Sequence, residues 1–283
     1  MKRIMALSLS TALLAGCSGA DPSPSVTEPP PGVSVSLAQW RSDEPVHRMQ
    51  VAVRNTTGTP VHFADVQLVT ASFAALAPEK VNITVAKTQR TDLPIPYGRA
   101  RCLPDRLPEA QPATVVAHVR VGDEQNPRKV VFPVPHPDPL LARLLRDECS
   151  EHLIKQAADI SFGPEWKRVG DAMHTTLTLT RRGKGAVTVH RIDGTTHYIA
   201  APVTEGTPIA ELDDTARSVQ AAVQLTPGRC DPHAFAEAKK AFLFPVRASV
   251  DGGAERVVIV VPPEDVQHRL IEYALDVCGL PTS

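Results

Sequence analysis

A mainly β fold, built as two tandem antiparallel β-sandwich units, is predicted from three observations. These are an internal repeat, runs of alternating strand pattern, and the placement of four cysteines. After Cys17 the cysteines are Cys102, Cys149, Cys230 and Cys278. The first two lie 47 positions apart and the last two 48. Trp40 and Trp166, the only tryptophans, precede Cys102 and Cys230 by nearly equal distances. The segments agree in detail: HRMQVAV from His47 matches HTTLTLT from His174, and GTPVHFADV from Gly58 matches GAVTVHRID from Gly185. RCLPDRLPEA from Arg101 matches RCDPHAFAEA from Arg229, sharing Arg, Cys, Pro, Glu and Ala at equal offsets. A repeat of this length is the signature of a duplicated structural unit.

Within each copy, alternating apolar residues separated by turn residues mark short strands. Copy one offers strands at 33–38, 49–54, 61–69, 81–86, 114–121 and 129–134. Copy two offers 159–162, 175–180, 186–192, 197–200, 218–224, 241–250 and 256–261. So many short strands in each half predict an antiparallel sandwich of immunoglobulin-like type. Each copy ends in a helix that stops at a cysteine. In DPLLARLL, Asp138 is the N-cap and Pro139 the first helical residue. In PPEDVQHRLIEYALDVC, Val266, Leu270, Ile271, Ala274 and Val277 share one face, which would lie on the sandwich. Four cysteines allow three pairings, and the repeat selects Cys102–Cys149 with Cys230–Cys278 because each copy then closes on itself. A loop of this length removes roughly 4 kcal/mol of unfolded-chain entropy.

The N-terminus predicts export, a compartment in which disulfides persist. Residues 1–16, MKRIMALSLSTALLAG, set Lys2 and Arg3 before a short apolar run ending in small residues, the layout of a secretory signal. Leu14-Ala15-Gly16-Cys17 resembles the lipobox of bacterial lipoproteins, which implies cleavage before Cys17 and acylation of its thiol. The partner is then the lipid bilayer, and the location is the extracytoplasmic face of the cell membrane, since buried methylenes contribute about 0.8 kcal/mol each. Residues 17–32 carry the modified cysteine and a Pro/Ser-rich stretch with little to bury, read as a disordered tether. The two sandwich domains would span 33–153 and 154–283. The formal net charge is −1, and loss of Lys2 and Arg3 would make it two units more negative. Without a basic block, a nucleic-acid partner is not expected.

Chemistry-bearing residues are sparse. The run from Cys230 through Asp231 and His233 to Glu237 holds metal-ligand types, but its spacing matches no known ligand motif and a disulfide cysteine cannot ligate. The competing reading is a disulfide beside a short helix, with Asp231 as cap and Pro232 as first residue. The first copy replaces Asp231 by Leu103 and His233 by Asp105 but keeps Cys, Pro and Glu. His47 and His62 recur as His174 and His190. They are either neighbours across a sheet able to begin a metal site, or half-buried strand-end histidines. His190 and His197 flank a suspected hairpin with Asp193-Gly194 at its tip. The basic segment RRGKG, residues 181–185, reads either as a contact for anionic headgroups or as a solvated turn. Tyr97, Arg99 and Arg101 in YGRARC form a candidate ligand-binding corner, with His233 as a further candidate. No hydrolase elbow, zinc-protease helix, P-loop or dinucleotide fingerprint is present. No catalytic residue, metal or cofactor is therefore expected.

RCDPHAFAEAKKAFLFPV and IPYGRARC resemble segments of uncharacterised exported lipoproteins of high-GC Gram-positive bacteria. That resemblance implies location and repetition of domains, and brings no activity with it. The expected function is a non-enzymatic binding or scaffolding lipoprotein of the cell envelope, acting with another envelope protein. The alternative is a lipoprotein that binds a small ligand or metal, and an envelope enzyme comes third.

Overall fold

The computed structural model describes residues 28–237 and 240–281. The signal segment, Cys17 and the tether up to residue 27 lie outside the described residues, as does the side chain of Glu237. The first half runs β1 (Val33–Ala38), β2 (Arg48–Asn55), β3 (Val61–Thr70), β4 (Glu79–Val85), β5 (Thr88–Pro96), β6 (Ala113–Val121) and β7 (Arg128–Pro133). Helix α1 (Pro139–Ala157) follows. The second half runs β8 (Ala158–Phe162), β9 (Lys167–Val169), β10 (Ala172–Arg181), β11 (Val187–Ile192), β12 (Tyr198–Pro202), β13 (Ala210–Leu212) and β14 (Ser218–Pro227). It closes with α2 (Pro232–Glu237), β15 (Phe244–Val250), β16 (Arg256–Val260) and α3 (Glu264–Val277).

All strand pairs are antiparallel, and the pairing repeats. In the first half, β1-β2-β5 and β4-β3-β6-β7 form two sheets. In the second, β8-β10-β14 extended by β12 answers the first sheet, and β13-β11-β15-β16 answers the second. Strand β6 shows the sequence logic. Ala113, Val115, Ala117 and Val119 are buried, while Thr114, Val116, His118 and Arg120 between them are only partly buried. Each pair of sheets buries its inner faces in one core, with Phe63 and Phe132 stacked in the first and Phe162 edge-on to Phe244 in the second. A fully buried side chain of this size contributes roughly 1.5–3 kcal/mol.

Three strands escape the sequence pattern. β5 carries Pro94 and Pro96, which argue against a strand, yet it occupies a sheet edge, where a missing N–H is tolerated. Its Leu93 and Ile95 are fully buried. β9 and β13 are three residues each, too short for alternation to register.

Both disulfides pair as expected, each with Cα atoms 5.2 Å apart. Asp138 caps α1, its carboxylate accepting the Leu141 N–H at 2.9 Å, and Pro139 opens the helix. The helix does not stop at Cys149. SEHLIKQA contains no glycine or proline to end it, so α1 continues to Ala157 and runs directly into β8. Leu141, Leu144, Leu145 and Cys149 sit in the first core, and Ile154 and Ala157 in the second. The two cores thus meet on one continuous helix, which also packs against β15 and β16. On α3, Tyr273 rather than Ile271 joins Val266, Leu270 and Ala274 in the buried face. No helix among the described residues is long and apolar enough to cross a membrane.

The turn between β15 and β16 is a hairpin with Asp251 and Gly252 both left-handed, the geometry of a type I′ turn. Asp193-Gly194 is not a hairpin tip. β11 and β12 belong to different sheets, so this segment crosses between them. A Cβ on Gly194 would lie 2.4 Å from the Tyr198 carbonyl oxygen, which is why the crossing needs glycine.

Candidate functional site

The concave feature with the most varied chemistry lies where the two halves meet at α1. Its first wall is built from the ends of β2 and β5. His47 closes the turn Glu44–Val46 in a left-handed conformation, φ 55° and ψ 45°, immediately before β2. Non-glycine residues adopt that region at a cost, and such positions cluster at functional sites. Tyr97 follows β5, donates its backbone N–H to the His47 carbonyl at 3.3 Å, and stacks on the His47 ring with centroids 4.2 Å apart. Gly98 comes next, and a Cβ there would stand 1.9 Å from the Ala74 carbonyl oxygen. Only glycine lets this segment run so close to 72–74, where Ala74 N–H bonds Arg99 O and Arg101 N–H bonds Ser72 O.

Helix α1 brings Glu148 to this wall. Cys149 is tied to Cys102, so the disulfide fixes Glu148 against the segment that follows Tyr97. Its Oε2 accepts the Ala100 N–H at 2.8 Å. Its Oε1 lies 3.3 Å from His47 Nε2, an ion-pair distance, yet is shielded from solvent and receives no aligned hydrogen bond. Burial holds the Glu148 carboxyl above the usual carboxylate range, with the Ala100 N–H and His47 opposing and Glu151 reinforcing. The Tyr97 hydroxyl is pushed up to about 12, first by burial and then by the charge of Glu148, with Gln39 working the other way.

The opposite wall comes from the second half and is apolar. Leu243, Pro245, Val257 and Ile259 line it, with Lys240 at its rim. β16 is apolar on both faces: Val258 and Val260 point into the core, while Val257 and Ile259 face the cleft and α1. Arg143, Leu144, Asp147 and Glu151 of α1 form the floor, and the open cleft has a volume of about 430 Å³, in the range of small-molecule sites. Arg143 donates to Gln39 Oε1 at 2.7 Å and lies 3.6 Å from Asp147. Lys240 pairs with Glu44 across the halves. The lining therefore holds four carboxylates against two permanent cations.

Of the sequence candidates, Tyr97 and His47 line this cleft. Arg99 is exposed, and its charge reaches Glu148 as a minor influence. Arg101 turns away, its Nε donating to the Phe73 carbonyl at 3.3 Å, and lines a separate groove with Leu103 and Arg106. His233 is exposed on α2, its backbone N–H bonded to the capping Asp231 carboxylate at 3.0 Å. The four are not one corner. Cys230 is committed to its disulfide, and among the described residues no group of three His, Cys, Asp or Glu can hold a metal ion.

The histidine pairs also separate. His47 adjoins β2 and His62 lies in β3, on different sheets, and the same holds for His174 in β10 and His190 in β11. His62 instead meets the Thr84 hydroxyl at 3.1 Å, and His190 meets the Ser249 hydroxyl at 2.8 Å. His197 is buried and stacked on Phe235, with ring centroids 4.5 Å apart. In RRGKG, Arg181 is held by the carbonyls of Gly183, Gly185 and Ala216, leaving Arg182 and Lys184 exposed.

Glu148 and Arg143 were missed by sequence reasoning. The signal was present in RDEC: once Cys149 pairs with Cys102, the residue before it must lie near YGRARC. The apolar wall was legible too, since RVVIVV is a continuous apolar run rather than an alternating one, marking a strand covered on both faces.

No family model matches the chain. No curated protein sequence matches it either. Among solved structures, a red sea bream transglutaminase aligns over 81% of this chain and 31% of its own, at 14% identity and a TM-score of 0.25. This chain thus spans less than a third of that enzyme's length. A protein of unknown function from Porphyromonas gingivalis W83 aligns over 81% of this chain and 96% of its own, at 15% identity and a TM-score of 0.19. Superpositions this loose carry no argument about fold or chemistry.

Proposed function

We propose that this chain is a lipid-anchored, extracytoplasmic binding protein, non-enzymatic, whose two immunoglobulin-like β-sandwich domains are joined through α1 and take a ligand in the cleft between them. The observation that carries the reading is that cleft. It is about 430 Å³, walled by rigid strands and a helix, and fixed by a disulfide one residue from Glu148. Sites on rigid elements hold their geometry better than sites on loops. The anchor rests on the Leu14–Cys17 lipobox resemblance, and the disulfides agree with an exported chain. The domain assignment is supported by the repeated sheet orders.

An envelope protein as the bound partner is the second reading. It is favoured by Trp40 and Val46, 54% and 60% exposed beside the cleft residues Gln39, Glu44 and His47.

Membrane fractionation of wild type and Cys17→Ala tests the anchor. The variant is expected in the soluble fraction, and a variant that still sediments with membranes overturns that half of the proposal. A thermal-shift screen against small solutes tests the cleft, and a screen in which no solute raises the melting temperature overturns the other half.

A further inference from the structure

Trp40 and Trp166 hold corresponding places in the repeat, yet only one of them is tucked in. Trp166 is partly buried, its ring 5.2 Å from that of Phe162 and its indole N–H donating to the Gly163 carbonyl at 3.1 Å. Trp40 is exposed, and its indole N–H donates to Asp92 Oδ2 at 3.1 Å on the outer face of β1-β2-β5. Its backbone N–H donates to Asp43, which also holds Gln50 of β2. The ring is therefore pinned against the sheet. We propose that this outer face is a docking surface for an anionic phospholipid bilayer, with Trp40 at the level of the headgroups. This rests on the lipid-anchored reading above.

Three observations carry it. The first is charge. Met49, Val51, Val53, Leu93 and Ile95 are buried, which leaves Arg54 of β2 and Arg90 of β5 on the outer face, at the bulge between the Val53 and Asn55 pairings. Lys87 stands just before β5, and Arg41 follows Trp40. Arg41, Arg54 and Lys87 are exposed and have no acid partner among the described residues. Asp92, the acid on this face, is taken up by Trp40 and Arg90, and the exposed acids Glu28 and Asp123 lie off it. Guanidinium groups pair well with phosphate, and an indole favours an interface that is apolar on one side and wet on the other.

The second observation is the other copy. By register, β8-β10-β14 sets Asp159, Thr180 and Ser218 where β1-β2-β5 sets Ser34, Arg54 and Arg90. That face lacks both the cations and the exposed indole, so the sandwich does not need them to fold. The third is position. The Gly32 carbonyl accepts the Thr56 N–H at 2.9 Å, beside the rung of Val33, Asn55 and Thr88, so the chain enters at the end that carries Arg54 and Lys87. Residues 17–32 reach at most about 55 Å when fully extended, which keeps this end close to an anchored Cys17. The other basic turn has a different setting, since Lys184 shares its groove with Asp105 and Asp251. Stable attachment takes two signals, so the face alone binds weakly and a chain without its lipid leaves washed membranes.

Fluorescence titration of the exported chain carrying Cys17→Ala and Trp166→Phe, in which Trp40 is the only tryptophan, tests this with concentrated vesicles. Emission is expected to move to the blue with phosphatidylglycerol and not with phosphatidylcholine, and the shift should fade in high salt. Arg54→Gln and Lys87→Gln should each weaken binding about fivefold. Flotation of the Cys17→Ala chain with both tryptophans in place repeats the comparison without a substitution near the second core. An equal response to the two lipids, or binding unchanged in both charge variants, overturns the proposal. Binding to neither lipid also overturns it and leaves Trp40 to a protein partner. The anchor is judged separately, by fractionation of the wild type against Cys17→Ala.

Discussion

Glu148 and Val277 occupy the same place in the two halves, each one residue before the second cysteine of its disulfide. Five residues before those cysteines stand Leu144 and Tyr273. In the second half Tyr273 fills the corner, its hydroxyl proton shared between the carbonyls of Asp171 at 2.6 Å and Leu225 at 3.0 Å, and Val277 packs against the same core. In the first half Leu144 is shorter, Glu148 brings a carboxylate, and His47 and Tyr97 stack over it. The same sheet order and disulfide support a filled corner in one copy and an ionisable cleft in the other. A duplicated scaffold can thus leave one copy free to hold the structure while the other carries the site.

The largest test of that contrast removes the disulfides. Their sequence separations, 47 and 48, make the loop-entropy contributions nearly equal, roughly 4 kcal/mol each. Cys149 is fully buried, whereas Cys278 is only partly so. The pair Cys102→Ala/Cys149→Ala should lower the calorimetric melting temperature more than Cys230→Ala/Cys278→Ala, and only the first should abolish ligand response, because it unties Ala100 from Glu148. Equal losses in melting temperature and in binding would erase the distinction between the halves.

Next comes the helix that joins them. His152 is exposed, so His152→Pro changes little at the surface but breaks the α1 ladder between the residues of the first core and those of the second. The expected cost is about 3 kcal/mol, with one calorimetric transition resolving into two. A single unchanged transition would show that the halves are coupled through some other contact.

Much of this architecture was legible because duplication gives every element a control. The strands that alternate and both disulfides follow from chemistry that each copy states separately, while the caps at Asp138 and Asp231 are each legible in one copy alone. What escaped was either edge-tolerated, as with Pro94 and Pro96 in β5, or set by tertiary context, as with α1 running past Cys149. The site was read in Tyr97 and in His47, the latter as half of a pair with His62, which the fold places on another sheet. Arg101 and His233 looked equally suitable in sequence, but a side chain's direction depends on the carbonyl it finds, Phe73 for Arg101, and on which half its element faces. Glu148 was hidden because a carboxylate on a helix is ordinarily a solvated residue, and only the fold buries it.

A smaller difference separates the helix starts. α1 has a side-chain cap from Asp138, while α3 begins after Pro263 without one. Asp138→Ala should cost about 1 kcal/mol in chemical denaturation. No change in the denaturation midpoint would mean that packing alone holds α1, as it must hold the start of α3.

The smallest expected effect is the most specific to the corner. Burial raises the Glu148 carboxyl above its unfolded value, so between those two values the folded chain holds the proton more firmly than the unfolded chain. Glu148 therefore favours the fold at acid pH, and that contribution is lost as pH rises through the folded value. In the second half Asp213 has the opposite sign, held low by the Thr215 hydroxyl and the Thr215 and Ala216 N–H groups, and its contribution is lost as pH falls. The groups facing Glu148 are His47, Arg99 and Glu151, along with the Ala100 N–H, so Glu148→Gln keeps the last contact and removes only the titration. Urea midpoints measured from the ordinary carboxylate range up to neutrality should show the variant gaining on wild type as pH climbs. Asp213→Asn, followed from the ordinary carboxylate range downward, should show the variant gaining on wild type as pH falls. Parallel curves for wild type and Glu148→Gln would mean that the carboxylate is solvated after all, and the first corner would then differ from the second only in shape.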